Sequence, residues 1–290
     1  MAKKARRVIE SIGEWSEIKI ALLEDYAKAY ATIFSAEKQK QVSFHTVYID
    51  GFAGSGLKRL RTTGEEITGS PLRVLSIKPP FSEYHFIDED HSRIETLTDE
   101  VNKLGASKEI NPDDVNIHVG DAITILEKEL IPSITYESYK RSLLFLDPYG
   151  LDIPWTLIEK AASQRTIDIL LNFSIMDLNR NHLPARRELL TDDQRVKVLP
   201  FLGSGWENEI YPESSQSNLF GTEYEKLGND DIMLFYASRL ESKAGFKFVS
   251  EPLLFSHKGA NLYYLVLASQ KEPAKRIMNS LVSKYRKAMK

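Results

Sequence analysis

The chain contains no cysteine, and that absence removes several chemistries at once. Disulfides, thiolate metal sites, a cysteine nucleophile and an iron–sulfur cluster held by this chain are all excluded. So is cytosine C5 methylation through a cysteine adduct. No apolar run approaches the roughly 18 residues that a membrane helix needs, so no membrane partner is expected. The basic start, Lys3-Lys4-Ala5-Arg6-Arg7, has no apolar stretch behind it and does not read as a signal peptide. A cytoplasmic location is the expectation. Net charge is small too, -3 over 290 residues, which argues against a general polyanion binder but leaves room for local basic patches. Internal repeats and low-complexity tracts are absent.

What is present is an ordinary globular composition, 42% hydrophobic and 27% charged. The length suits one elaborated α/β domain or two small ones, with a sizeable core in either case. The pattern along the chain favours a single domain over 1–290, with an N-terminal helical cap at 1–40 and an inserted substrate-recognition or lid region at 176–245. An amphipathic helix is expected over Trp15–Ala36, with Ile18, Leu22, Ala29 and Ile33 on or near one face, either packing or covering a cleft. Strands are expected at His45–Ile49, Tyr84–Ile87, Val115–Val119, Ser142–Leu146 and Ile167–Phe173, each followed by a helix. The helix after the first strand starts at Ser70 as N-cap with Pro71 at its first position. A polar segment, Leu57–Thr68, intervenes before it. Residues 176–228 read as polar and irregular. A helix near Asp231–Lys243 then leads to a hairpin of Phe246–Phe255 and Leu262–Ala268, joined by His257-Lys258-Gly259-Ala260-Asn261.

Five β-then-α units predict a doubly wound parallel sheet. An antiparallel hairpin at its end is the arrangement of the Rossmann-like methyltransferase fold, whereas dinucleotide dehydrogenases end on a parallel sixth strand. In such a sheet, ligands sit beyond the carboxyl ends of the strands at the switch point. Acid-bearing turns fall at four successive strand ends: Asp50, Asp88, Asp121 and Asp147. The first opens Asp50-Gly51-Phe52-Ala53-Gly54-Ser55-Gly56, where Gly54 and Gly56 permit positive φ and leave no Cβ in a ligand's way. This run resembles the S-adenosylmethionine loop of Rossmann-like methyltransferases, especially those acting on nucleic acid.

Roles follow from position. Asp50 holds the ligand's ammonium group, directly or through a loop amide. Asp88 accepts both ribose hydroxyls, with Glu89 and Asp90 as rivals or as solvated residues at a helix start. Asp121 accepts the adenine amino group beside the Ala122 N–H, or else simply caps the Ala122 helix. Asp147-Pro148-Tyr149-Gly150 is the candidate catalytic turn. It resembles the D-P-P-Y signature of methyltransferases acting on exocyclic amines of nucleobases, with one proline missing and glycine after the tyrosine. Asp147 and the Pro148 carbonyl would accept the amine's two N–H groups while Tyr149 stacks the base. A plain strand-ending turn is the other reading.

Taken together, the stretches Tyr48–Gly56, Gly69-Ser70-Pro71, Phe86-Ile87-Asp88, Phe145–Leu151, Asn172-Phe173 and Tyr263–Ser269 look like the three-Cys-motif partner family (TcmP). The resemblance covers most of the chain and is weakest over 176–245. It implies a methyltransferase-like protein that occurs beside a separate, cysteine-bearing, radical-enzyme-like partner. It does not supply the substrate. Basic side chains near the cleft (Lys58, Arg59, Arg61, Arg180, Arg186, Arg187) could track phosphates. Those of the last helix (Lys275, Arg276, Lys284, Arg286, Lys287, Lys290) read more simply as a solvated face. The expected function is methyl transfer from S-adenosylmethionine to a nucleic-acid base amine, with no metal. The alternatives are a non-catalytic cofactor-binding component of a complex, or methyl transfer to a small molecule or protein. An NAD(P) oxidoreductase comes last.

Overall fold

The computed structural model describes residues 7–38, 43–214 and 224–289. Lys3, Lys4 and Arg6 of the basic start, residues 39–40 of the expected cap, 215–223 of the expected insertion and Lys290 lie outside them.

The strands are β1 (Glu10–Ile12), β2 (His45–Asp50), β3 (Leu57–Leu60), β4 (Glu66–Thr68), β5 (Glu83–Asp88), β6 (Val115–Val119), β7 (Lys140–Leu146), β8 (Ile167–Phe173), β9 (Phe248–Val249), β10 (Leu253–His257) and β11 (Ala260–Ser269). The main sheet is 8-stranded, in the order β10-β11-β8-β7-β2-β5-β6, with β9 pairing β11. Neighbours from β8 to β6 are parallel, and β11 runs antiparallel to both β8 and β10. This is the Rossmann-like methyltransferase arrangement. The chain winds outward through β5 and β6, returns to β7 and winds outward the other way. The switch point therefore lies between β2 and β7.

Helices α1 (Glu14–Lys38), α2 (Ser70–Leu75), α3 (His91–Ala106), α4 (Ala122–Ile125), α5 (Ile131–Ser133), α6 (Trp155–Gln164), α7 (Ile175–Asp177), α8 (Asp192–Leu202), α9 (Trp206–Ile210), α10 (Asn229–Ser242) and α11 (Glu272–Ala288) cover both faces. One face takes α1, α2, α3 and α11 against Tyr48, Phe86, Phe145 and Leu170. The other takes α6, α8, α9 and α10 against Ile49, Ile87, Leu146 and Leu171. Alternate residues of each strand thus face opposite layers. Both layers are helical, so the central strands are apolar on both sides.

Several expectations are corrected. The buried face of α1 is Leu22, Leu23, Tyr26, Ala27, Tyr30 and Ala31; of the expected stripe Leu22 is buried and Ile18 packs on this face, whereas Ile33 is 40% exposed. Tyrosines 26 and 30 sit inward, and the Tyr26 hydroxyl lies 3.4 Å from the partly buried Asp168 carboxylate. Leu57–Thr68, expected only as a polar segment, is built of strands. It forms β3 and β4, and β1 joins β3 in parallel to make a separate 3-stranded sheet. Helix α2 is capped by Gly69, not Ser70. Residues 176–210 are largely helical rather than irregular, and Leu178, Val198, Phe201, Leu202, Trp206 and Ile210 are buried in the core. Their apolar side chains are scattered among polar ones at helical spacing, which hides a packed segment in a polar composition. The single strand expected over Phe246–Phe255 breaks at Ser250–Pro252. There the Ser250 hydroxyl accepts the Leu267 N–H at 3.0 Å and Pro252 has no N–H to give. The hairpin turn closes on Lys258 (φ 48) and Gly259 (φ 80), tighter than the five residues expected.

Candidate functional site

Period-two alternation assembles the site. Asp50, Asp88, Asp147 and Asn172 each lie two residues beyond Tyr48, Phe86, Phe145 and Leu170, all of which pack on the α1 face. Each polar side chain therefore inherits that face at the carboxyl end of its strand. Helix α1 and strand β1 close over them. The result is a cavity of about 560 Å³ lined by Phe52, Gly54, Ser70, Asp88, Asp147, Pro148, Tyr149, Asn172, Ser174 and Tyr263, and roofed by residues from Glu10 to Ile20.

The glycine loop is pinned at both edges. Gly51 N–H donates to the Phe145 carbonyl at 3.0 Å and Ala53 N–H to the Ile87 carbonyl at 2.8 Å. Gly56 holds φ +72, and a Cβ there would sit 2.8 Å from a Leu97 methyl. Two requirements, backbone and space, thus coincide on glycine.

Asp88 is buried, and its two oxygens accept the N–H groups of Gly54 and Asp90, each at 2.9 Å. Asp88 lines the cavity, with the Arg93 guanidinium 3.6 Å from Oδ2, and a carboxylate has the acceptor capacity for a vicinal diol. Of its rivals, Glu89 is exposed and Asp90 caps α3. Asp50 is fully buried and is not part of the cavity lining. Its Oδ1 accepts the Phe52 N–H at 3.2 Å, while Oδ2 has no partner among the described residues. Asp50 thus holds the backbone of the loop. Burial pushes its carboxyl up to about 7, against the opposing pull of Ser70 and the Phe52 N–H. Asp121 is exposed and caps α4 through the Thr124 N–H at 2.8 Å. Ala122 packs in the core beneath it. Neither lines the cavity.

The catalytic-turn candidates are engaged in ways the sequence did not indicate. Both Asp147 oxygens lie 2.6 Å from the Lys19 ammonium, which is 6% exposed and rises from α1. Lys19 also sits 4.7 Å from the centre of the Tyr263 ring. Tyr149 is 77% exposed at the rim. Its hydroxyl donates to Glu10 Oε1 at 2.9 Å, and the Arg93 guanidinium lies 5.5 Å from its ring centre. Loss of water around the hydroxyl where it meets Glu10, and then the Glu10 carboxylate, raise its phenol to about 12.

Glu10 is the second residue missed. Its carboxylate meets the Lys58 ammonium and the Ser55 N–H, with Arg93 at 3.6 Å. Burial raises its pKa, but the Lys58 charge and hydrogen bond overcome that, and the net shift is downward. A Cβ on Gly54 would lie 2.5 Å from Glu10 Oε2. β1 thus rests directly on the loop. Lys19 was the more legible of the two. It falls within the stripe that buries Leu22, Leu23 and Tyr26, and a lone cation on a buried face signals a partner.

The basic groups are mostly paired. Lys58 meets Glu10, Arg59 meets Glu66, Arg61 donates to the Ser11 carbonyl and Arg187 meets Glu207. On α11, Lys284 meets Asp25 and Arg286 meets Glu251. Among the described residues no acidic or histidine cluster suits a metal ion, and no helix is long and apolar enough to cross a membrane.

No protein-family model matches the chain, and no curated protein matches it. Solved structures do. A protein of Legionella pneumophila is 10% identical with a TM-score of 0.48, covering 91% of this chain and 92% of that one. A candidate O-methyltransferase of Klebsiella pneumoniae is 9% identical with a TM-score of 0.40, covering 88% and 90%. The glycopeptide N-methyltransferase MtfA, in complex with S-adenosyl-L-methionine, is 14% identical with a TM-score of 0.35, covering 84% and 87%. At these scores the likeness adds nothing to what the strand order states by itself: the sheet is of the methyltransferase type.

Proposed function

We propose that the chain is an S-adenosylmethionine-dependent methyltransferase whose acceptor is a nucleic-acid base amine. One observation carries the reading. Strand alternation gathers Asp88, the glycine loop and the Asp147-Pro148 turn around one cavity at the switch point of a methyltransferase-type sheet. Asp88 would take the ribose hydroxyls, and the loop and Asp50 the methionine end. The cofactor, when bound, supplies an electrophilic methyl group on a sulfonium. The chain's part is to position the acceptor: Asp147 and the Pro148 carbonyl accept N–H bonds, favouring a pyramidal nitrogen with its lone pair on the methyl axis. Asp147 still has lone pairs for this beside Lys19. The three-Cys-motif partner resemblance supports the same cofactor and suggests a cysteine-bearing protein partner.

The test is transfer of labelled methyl from S-adenosylmethionine to RNA and DNA purified from cells lacking the protein. Asp147→Ala is expected to keep cofactor affinity within about threefold and to slow transfer by roughly 10²-fold or more, the scale for a positioned proton acceptor. Undiminished transfer would remove Asp147 from the chemistry. A second reading, a cofactor-binding but non-catalytic component of a complex, is favoured by the Lys19–Asp147 pair, which occupies both carboxylate oxygens. It is supported if cofactor binds, no methyl is transferred, and Asp147→Ala retains the cellular function.

A further inference from the structure

Beyond Asp147 the cavity continues into a recess under α1, walled by Asn172, Ser174, Tyr263 and Lys19. Three features set it apart from the loop end. Asn172 is 6% exposed, yet its Oδ1 has no hydrogen-bond partner among the described residues. The Tyr263 hydroxyl is also enclosed and has no hydrogen-bond partner among the described residues. Finally, the two charged side chains among these walls, Lys19 and Asp147, are paired with each other at 2.6 Å.

Unsatisfied buried polar atoms are costly. Asn172 sits in the ladder opposite Leu265, and Tyr263 lies two residues from Leu265 on the same face. Both side chains therefore converge from adjacent strands. A charge-balanced recess gives no advantage to an ionic group, whereas an amide oxygen without a donor favours an N–H. Trp15 and His257, with ring centres 4.7 Å apart, add aromatic surface to the same lining.

We propose that Asn172 and Tyr263 form the acceptor subsite, and that it takes the edge of a neutral nucleobase carrying an exocyclic amine. The proposal rests on reading the cavity as a methyl-transfer site. Asn172 Oδ1 accepts an N–H of the base, and the Tyr263 hydroxyl pairs with the neighbouring ring nitrogen or carbonyl. Asp147 and Pro148 then meet the reacting amine. The two strands of the antiparallel pair, not the catalytic turn alone, set acceptor specificity.

The experiment is saturation-transfer NMR on the full chain, with and without saturating S-adenosylhomocysteine. The probes are 9-methyladenine, 1-methylcytosine, benzoate, benzylammonium and acetamide. Millimolar binding is expected for the methylated bases and none for the charged probes. Asn172→Leu and Tyr263→Phe should each weaken base binding about tenfold while leaving the melting temperature unchanged or raised, because each removes a polar atom that has no partner. Calorimetry on the same variants should give S-adenosylhomocysteine affinity within about twofold of the parent. Unchanged base binding in both variants overturns the proposal, as does acetamide binding as tightly as the bases. A fall in melting temperature also overturns it, since the polar atoms would then be structural. If the parent fails to bind S-adenosylhomocysteine, the cofactor reading falls by itself. The titrations without it still decide the recess.

Discussion

At the scale of single residues, the acids at the strand ends divide by burial and by what each oxygen already holds. Asp88 spends one lone pair of each oxygen on a backbone N–H, with the Arg93 guanidinium 3.6 Å from Oδ2. Asp88→Ala is expected to weaken S-adenosylmethionine binding by about 1.5–3 kcal/mol, as losing charge-assisted hydrogen bonds does. Calorimetry checks this, and affinity unchanged within twofold would take Asp88 out of the site. Asp50 makes a different prediction. Its folded pKa of about 7 lies above the ordinary carboxylate value, so the unfolded chain releases this proton first. Stability from this group therefore falls as pH rises from about 4 to 7, by at most roughly 4 kcal/mol. Asp50→Asn should match the parent near pH 4 and exceed it in urea midpoint at pH 8. Equal midpoints at pH 8 would show that the carboxylate is compensated in place. Asp168, raised to about 6 by burial, is present in both proteins and leaves the comparison intact.

At the scale of elements, β1 is a three-residue strand that owes its place to one side chain. Glu10 links it to Lys58, Tyr149 and Arg93, and its ladder partner is only the short β3. Two-stranded and very short pairings are marginal alone. Glu10→Ala is expected to speed hydrogen exchange at Arg61 N–H, which donates to the Ile12 carbonyl, by tenfold or more. The core strands should keep their protection. Unchanged exchange at Arg61 would mean that β1 is held by its backbone pairing. The segment from α7 to α9 behaves oppositely. Trp206, 3% exposed, packs in the same core as β8, so Trp206→Ala should cost about 3–5 kcal/mol. A loss under 1 kcal/mol would instead support the mobile recognition element that its polar composition suggested.

At the scale of the whole molecule, cofactor binding should stabilise the chain by mass action. At S-adenosylmethionine concentrations near 100 times Kd the expected gain is about 2.7 kcal/mol, seen as a raised melting temperature. NADH should give no such shift. A shift with NADH alone would overturn the cofactor reading. Because α1 roofs the cavity and also packs on α2 and α11, the ligand-dependent protection in hydrogen exchange should extend into α1, beyond the loop itself.

The sequence by itself determined the central sheet. Apolar runs of strand length, each ending in an acid or glycine turn, report local propensity and burial on two faces, and both are properties of contiguous residues. The same locality made the strand ends at Asp50, Asp88 and Asp147 and the glycine turn legible as positions, because a strand end and a turn are read within about ten residues, although Asp50 stays out of the cavity lining. Only the tertiary structure decided what meets them. Lys19 comes from a helix 128 residues before Asp147, and Glu10 reaches Tyr149 across 139. The pairing of β1 with β3 and the joining of Asn172 with Tyr263 also depend on chain crossings that no local pattern encodes. Asp121 shows the limit from the other side: its turn looks like the others, but it caps α4 outside the cavity lining. Strand ends are written in sequence. Which of them share a cavity depends on the helices that close over the sheet.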